Sequence, residues 1–107
     1  MEIKESDWRV FRRLHTVALE RYCQRVIEEV RVAVECTSDF HDCYLRLYRL
    51  IRERDKTLAT VFNDSRRSTA FLLLANIVAE ELLTQEELEQ FSPEVRERIE
   101  VINELRS

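Results

Sequence analysis

No glycine occurs anywhere in the 107 residues, and Pro93 is the one proline. Glycine ordinarily makes up roughly 7% of a chain, so its absence excludes whole chemistries. A Walker loop, a dinucleotide fingerprint and a G-x-S-x-G elbow all need positive φ or a close backbone approach to a phosphate or oxyanion. Asn-Gly and Asp-Gly hairpin turns cannot be written either, which predicts a chain that is helical nearly throughout. Long apolar runs are missing too. The longest, Ala70 to Ala79, is interrupted by Asn76 and falls far short of the ~20 residues a membrane span requires. Met1 to Asp7 has mixed charge and no apolar stretch, so no signal peptide is expected. Cysteine is limited to Cys23, Cys36 and Cys43. An odd number in an apolar-rich chain predicts reduced thiols and a cytoplasmic protein.

Charge is what the chain has in excess. Charged residues make up 36% and hydrophobic ones 45%, with a net charge of −4. That apolar fraction and small net charge disfavour disorder. The surplus over the usual quarter fits long helices with Glu and Arg three or four residues apart on their outer faces. Only Lys4 and Lys56 among the basic residues are lysine, and arginine forks suit carboxylate partners. Residues 1–79 hold 14 basic and 12 acidic side chains, whereas residues 80–107 hold 3 and 9. The acidic end can neutralise the arginine-rich remainder within the chain or between chains.

Periodicity predicts one all-α domain over residues 1–107, a bundle of four to five helices. The first helix is expected from about Asp7 to Cys36, with Ser6 as N-cap and Asp7 at its positive end. Trp8, Phe11, Ala18, Leu19, Tyr22, Val26, Val30 and Ala33 recur on one face, with His15 among them. Thr37-Ser38-Asp39 breaks the pattern, and a second helix is expected from Asp39 to about Asp55, antiparallel to the first. Its expected buried face is Phe40, Cys43, Tyr44, Leu47, Leu50 and Ile51, with Arg46, Arg49 and Arg52 pointing away. A third helix runs to Leu83 from Thr57 or Ser65, with a possible break at Asn63-Asp64-Ser65. Two seams are expected on it, one of Ser65, Thr69, Leu72, Asn76, Ala79 and Leu83, the other of Phe71, Leu74, Val78 and Leu82, which makes it the central helix. Thr84-Gln85-Glu86-Glu87 is a capping box with a Leu83/Leu88 staple. Ser92-Pro93-Glu94 opens a last helix, whose apolar face is Val95, Ile99, Ile102 and Leu105.

Few residues offer chemistry. Cys36, His41 and Cys43 supply three soft ligands where structural zinc takes four, and His41 and Cys43 diverge on a helix, so no metal or other cofactor is expected. His15 has no nucleophile or carboxylate placed beside it and reads as a packed, hydrogen-bonded histidine. Neighbouring carboxylates such as Glu80-Glu81 and Glu86-Glu87 point about 100° apart and do not converge on a substrate, so no catalytic residue is expected. Asn76 either fixes register or oligomeric state or bonds within the chain to His15 or a tyrosine hydroxyl. Arg46, Arg49 and Arg52, followed by Arg54, Lys56, Arg66 and Arg67, form a row that could neutralise phosphates.

Ser65-Arg66-Arg67-Ser68, the apolar run to Leu83, Thr84-Gln85-Glu86-Glu87-Leu88 and Phe91-Ser92-Pro93-Glu94-Val95 follow a Trp8-x-x-Phe11 start. In this the chain resembles a group of small uncharacterised bacterial all-helical proteins, with Trp8, Phe11, Arg66 and Arg67 as the matching positions. The resemblance implies a bacterial helical domain and brings no activity with it. The expected function is a non-enzymatic protein-interaction module. Its surface is expected at Phe71, Leu74, Asn76, Val78 and Leu82, where the second seam can be covered by a twofold copy or by residues 93–105 folding back. Val10, Val17, Val32 and Leu45, off the main stripes, favour the homodimer. The alternative is a binder of nucleic acid or an acidic protein through Arg46, Arg49, Arg52, Arg66 and Arg67.

Overall fold

Thirty residues, Glu5–Val34, form α1 in a computed structural model that describes residues 2–35 and 39–107. Four helices follow: α2 (Phe40–Phe62), α3 (Ala70–Ala79), α4 (Gln85–Leu88) and α5 (Pro93–Arg106), with a 3-10 turn at Arg67–Thr69 leading into α3. There is no strand among the described residues. The fold is the expected all-α bundle.

The first stripe forms the spine of the core. Phe11, Ala18 and Tyr22 are buried with Leu14, while Trp8, Leu19 and Val26 pack against them. The helix starts before Ser6. Lys4 stands at the N-cap position without a side-chain bond, because Ile3 is drawn into the core and Asp7 turns inward. Asp39 caps α2, accepting from the amides of His41 and Asp42. This helix continues past the expected end at Asp55. An exposed aspartate inside a helix costs only a few tenths of a kcal/mol, and Val61 and Phe62 are buried at the far end.

The chain then breaks where Asn63-Asp64-Ser65 suggested, with Asp64 at φ 61°. A second residue in this left-handed region is Glu81, at φ 57°. It ends α3 in a Schellman motif, the Leu82 amide bonding the Ile77 carbonyl at 3.3 Å and the Glu81 amide bonding that of Val78 at 2.9 Å. Glycine usually fills this position because a Cβ costs roughly 1–2 kcal/mol there. Glu81→Gly is therefore expected to stabilise the protein by about 1 kcal/mol, read as a higher urea midpoint with an unchanged slope.

Helix α3 is central, as expected, but its faces are divided differently. Leu72 and Ala79, placed in the first seam, are exposed. Ala70, Leu73 and Ile77, at intervals of three and four, supply the buried side instead. The second seam is covered by α5. Arg98 stacks over the Phe71 ring at 4.4 Å, Asn103 Nδ2 donates to the Ala75 carbonyl at 3.2 Å, and Val95 and Ile99 are buried.

Three of the nine carboxylates at the acidic end pair with residues in or just before the first helix. Glu87 pairs with Arg21 at 2.6 Å, Glu80 with Arg25 at 3.6 Å and Glu94 with Lys4 at 3.4 Å. Glu87 also closes the capping box, accepting from the Thr84 amide at 2.8 Å while Thr84 Oγ1 accepts from the Glu87 amide. These bonds, the Arg21 fork first, lower the Glu87 carboxyl from 4.5 to about 2. A depressed carboxylate contributes stability above its unfolded pKa and loses it as pH falls through the folded one. The stability difference between the wild type and Glu87→Gln is thus expected to be about 2 kcal/mol at neutral pH, allowing for the partly exposed guanidinium. It should shrink between pH 4.5 and pH 2, as measured by urea unfolding across that range.

Candidate functional site

The molecule measures 53 × 23 × 23 Å, and its radius of gyration of 16.6 Å exceeds the ~13 Å of a compact chain this long. The excess comes from the α1–α2 hairpin, which outruns the other helices. No residue of α1 after Tyr22 is buried, and none of α2 before Val61 except Cys43. What holds this half together runs between the two helices. Arg54 forks onto Glu29 at 2.8–3.2 Å and lowers that carboxyl below its ordinary value. The Tyr22 hydroxyl donates to the Arg54 carbonyl at 3.0 Å, with burial pushing the phenol up. Cys43 Sγ reaches the Ala33 carbonyl at 3.8 Å.

Helices α3 to α5 cover one face of the hairpin only. Arg21 bonds the Leu82 carbonyl, Arg25 that of Glu80, and Asn76 that of Thr60. At about 100° per residue, Ile27 lies on the other side of α1 from Arg21 and Arg25. There Cys23, Ile27, Asp55 and Leu58 line one shallow hollow of about 160 Å³. Along the same face run Val34 on α1 and Phe40, Tyr44, Tyr48 and Ile51 on α2, spaced four, four and three apart. Phe40 is 84% exposed, Tyr44 65% and Tyr48 56%, and Ile27, Val34 and Ile51 are each about half exposed. Phe40, Tyr44 and Ile51 were expected inside. They are outside because α2 has a neighbour on its α1 side alone, which takes Cys43 and half of Leu47 and Leu50.

The residues expected to bind are placed elsewhere. Leu74 and Leu82 are core residues, so they offer nothing to a partner, and Phe71 and Val78 are half-buried. Asn76 bonds within the chain, accepting from Arg106 at 2.6 Å and donating to Thr60; its partners are neither His15 nor a tyrosine. The arginine row does not converge. Arg46 pairs with Asp42, Arg66 with Asp64, and Arg67 with Glu5 and the Ile3 carbonyl. Arg67 also lies over Trp8 at 6.0 Å, and Trp8 stacks on Phe11 at 5.5 Å. Within the row, Arg49, Arg52 and Lys56 form no ion pair among the described residues.

His15 bridges the bundle. Its Nε2 donates to the Phe62 carbonyl at 3.0 Å, at the open end of α2, and its ring sits between those of Phe11 and Phe62. Cys36 lies outside the described residues, and among those described no three His, Cys, Asp or Glu side chains gather to hold a metal. No described helix is long and apolar enough to cross a membrane. The aromatic stripe had one signal in the sequence: Phe40, Tyr44 and Tyr48 repeat every four residues beside the Cys43, Leu47 and Leu50 set. Comparison of the chain with protein-family models, with curated proteins and with solved structures found no match.

Proposed function

We propose that the protein is a non-enzymatic interaction module that docks a protein partner on the uncovered face of its α1–α2 hairpin. The observation that carries this reading is the run of Phe40, Tyr44, Tyr48 and Ile51, left in water on one side of a two-helix arm whose other side holds the body. Contiguous apolar patches of several hundred Å² are uncommon on monomers and mark binding sites. Tyrosine and phenylalanine are also the residues on which such contacts concentrate. Binding of nucleic acid or an acidic partner along the arginines finds less support, since Arg66 and Arg67 are engaged near α1 and α3 while Arg49 and Arg52 stand on the arm.

The test is affinity capture from the native host with the full chain as bait, beside Tyr44→Glu/Tyr48→Glu. A partner held by the wild type and lost with the variant supports the reading. Partners retained equally by both overturn it.

A further inference from the structure

We propose that the occupant of this face is a second copy of the chain, two hairpins stacking antiparallel about a twofold axis into a four-helix layer. The proposal rests on the reading of the face as a docking surface and names its partner.

Area is the first argument. An aromatic side chain carries roughly 150–250 Å², so Phe40, Tyr44 and Tyr48 at their observed exposures present about 300–500 Å² per copy. Ile27, Val34 and Ile51 extend this toward the ~800 Å² per partner of a standard stable interface. A twofold contact uses the same patch on both chains. The body helices stand on the opposite side of the hairpin and leave the approach open.

Charge supplies the direction. On α1, Glu20, Cys23, Ile27 and Val34 share a face, with Glu20 at the body end and Arg31 toward the tip. On α2, Asp55 continues the stripe of Tyr48 and Ile51 toward the body, and His41 borders Phe40 and Tyr44 at the tip. Glu20 and Asp55 form no ion pair among the described residues. Among the described residues Arg31 makes an exposed contact with Glu28 three residues away, a kind that contributes little. A parallel stack would set acidic end on acidic end. The antiparallel stack sets Glu20 of each copy toward Arg31 of the other and Asp55 toward the ring N–H of His41, so one orientation gives both carboxylates a donor.

Sedimentation equilibrium of the full chain, from low micromolar to several hundred micromolar, tests this. The mass is expected to climb from 12.9 kDa to twice that value. Tyr44→Glu/Tyr48→Glu is expected to weaken association at least ~100-fold, the loss typical of central aromatic contacts, with an unchanged helical circular dichroism spectrum. Glu20→Lys/Asp55→Lys and Arg31→Glu/His41→Glu should each weaken it alone, and an equimolar mixture of the two should re-associate. A 12.9 kDa species at every concentration overturns the second copy, as does a dimer indifferent to Tyr44→Glu/Tyr48→Glu. A mixture that fails to recover overturns the antiparallel arrangement. If the chain stays monomeric yet capture from the host still depends on Tyr44 and Tyr48, the docking surface survives and only its occupant is wrong; if neither holds, both readings fall.

Discussion

Asp7→Ala is expected to cost about 2–4 kcal/mol of unfolding free energy, one of the two largest losses predicted for this chain. Asp7 is a carboxylate only 3% exposed. It accepts from both the amide and the hydroxyl of Ser92, each at 2.8 Å. Ser92 is the N-cap of α5, and its own side chain makes no capping bond, because that hydroxyl is turned to Asp7. The aspartate therefore caps a helix from a distant part of the chain, with its charge at the positive end of the α5 dipole. Truncation leaves a part-buried amide and hydroxyl without their partner, which costs more than the bonds contributed. Urea unfolding of Asp7→Ala, Ser92→Ala and the double variant measures this. The double variant should be destabilised by clearly less than the sum of the two single changes; simple additivity would contradict the coupling.

The second large loss belongs to Leu74→Ala, expected at about 3–4 kcal/mol, within the range for emptying a leucine site in a packed core. Leu74 is 1% exposed, enclosed where α3 meets its neighbours. The same substitution discriminates between two roles for the residue. As a core side chain it should lower the urea midpoint sharply and leave the association of folded protein unchanged. As a contact for a partner it would leave folding within about 0.5 kcal/mol of the wild type, the usual effect of a surface change.

Helix identity was legible in the sequence wherever the cause is local. Asp39, Thr84 and Pro93 marked three helix starts because a cap or a fixed φ acts over one turn. The Phe11–Ala18–Tyr22 stripe was legible for a related reason, since helical period places those residues together before any tertiary contact exists. What escaped depends on where neighbours end. Phe40, Tyr44 and Ile51 look like a core stripe, and periodicity alone cannot show that α3 to α5 stop short of them. Leu74 and Leu82 likewise look like an adhesive seam until α5 is laid over it. Asp7 reads as a dipole residue of its own helix, and nothing near it in sequence indicates that Ser92 needs it. The arginine row fails as a row because Arg66 and Arg67 follow a chain reversal at Asp64, so linear proximity to Arg54 and Lys56 does not persist in space.

The link between Asp7 and Ser92 has a kinetic consequence. It joins residues 85 apart in a chain whose remaining helices can pair with sequence neighbours first: α1 with α2, then α3 onto that pair. Closing so long a loop early would cost chain entropy with little contact energy in return. α5 can pack early on its near neighbour α3, but the cap it borrows from Asp7 thus belongs late on the folding route, after the transition state has formed its contacts. An interaction made late slows escape from the native state without hastening arrival. Asp7 is then less a guide to folding than a latch, setting how long the first and last helices stay together once they have met.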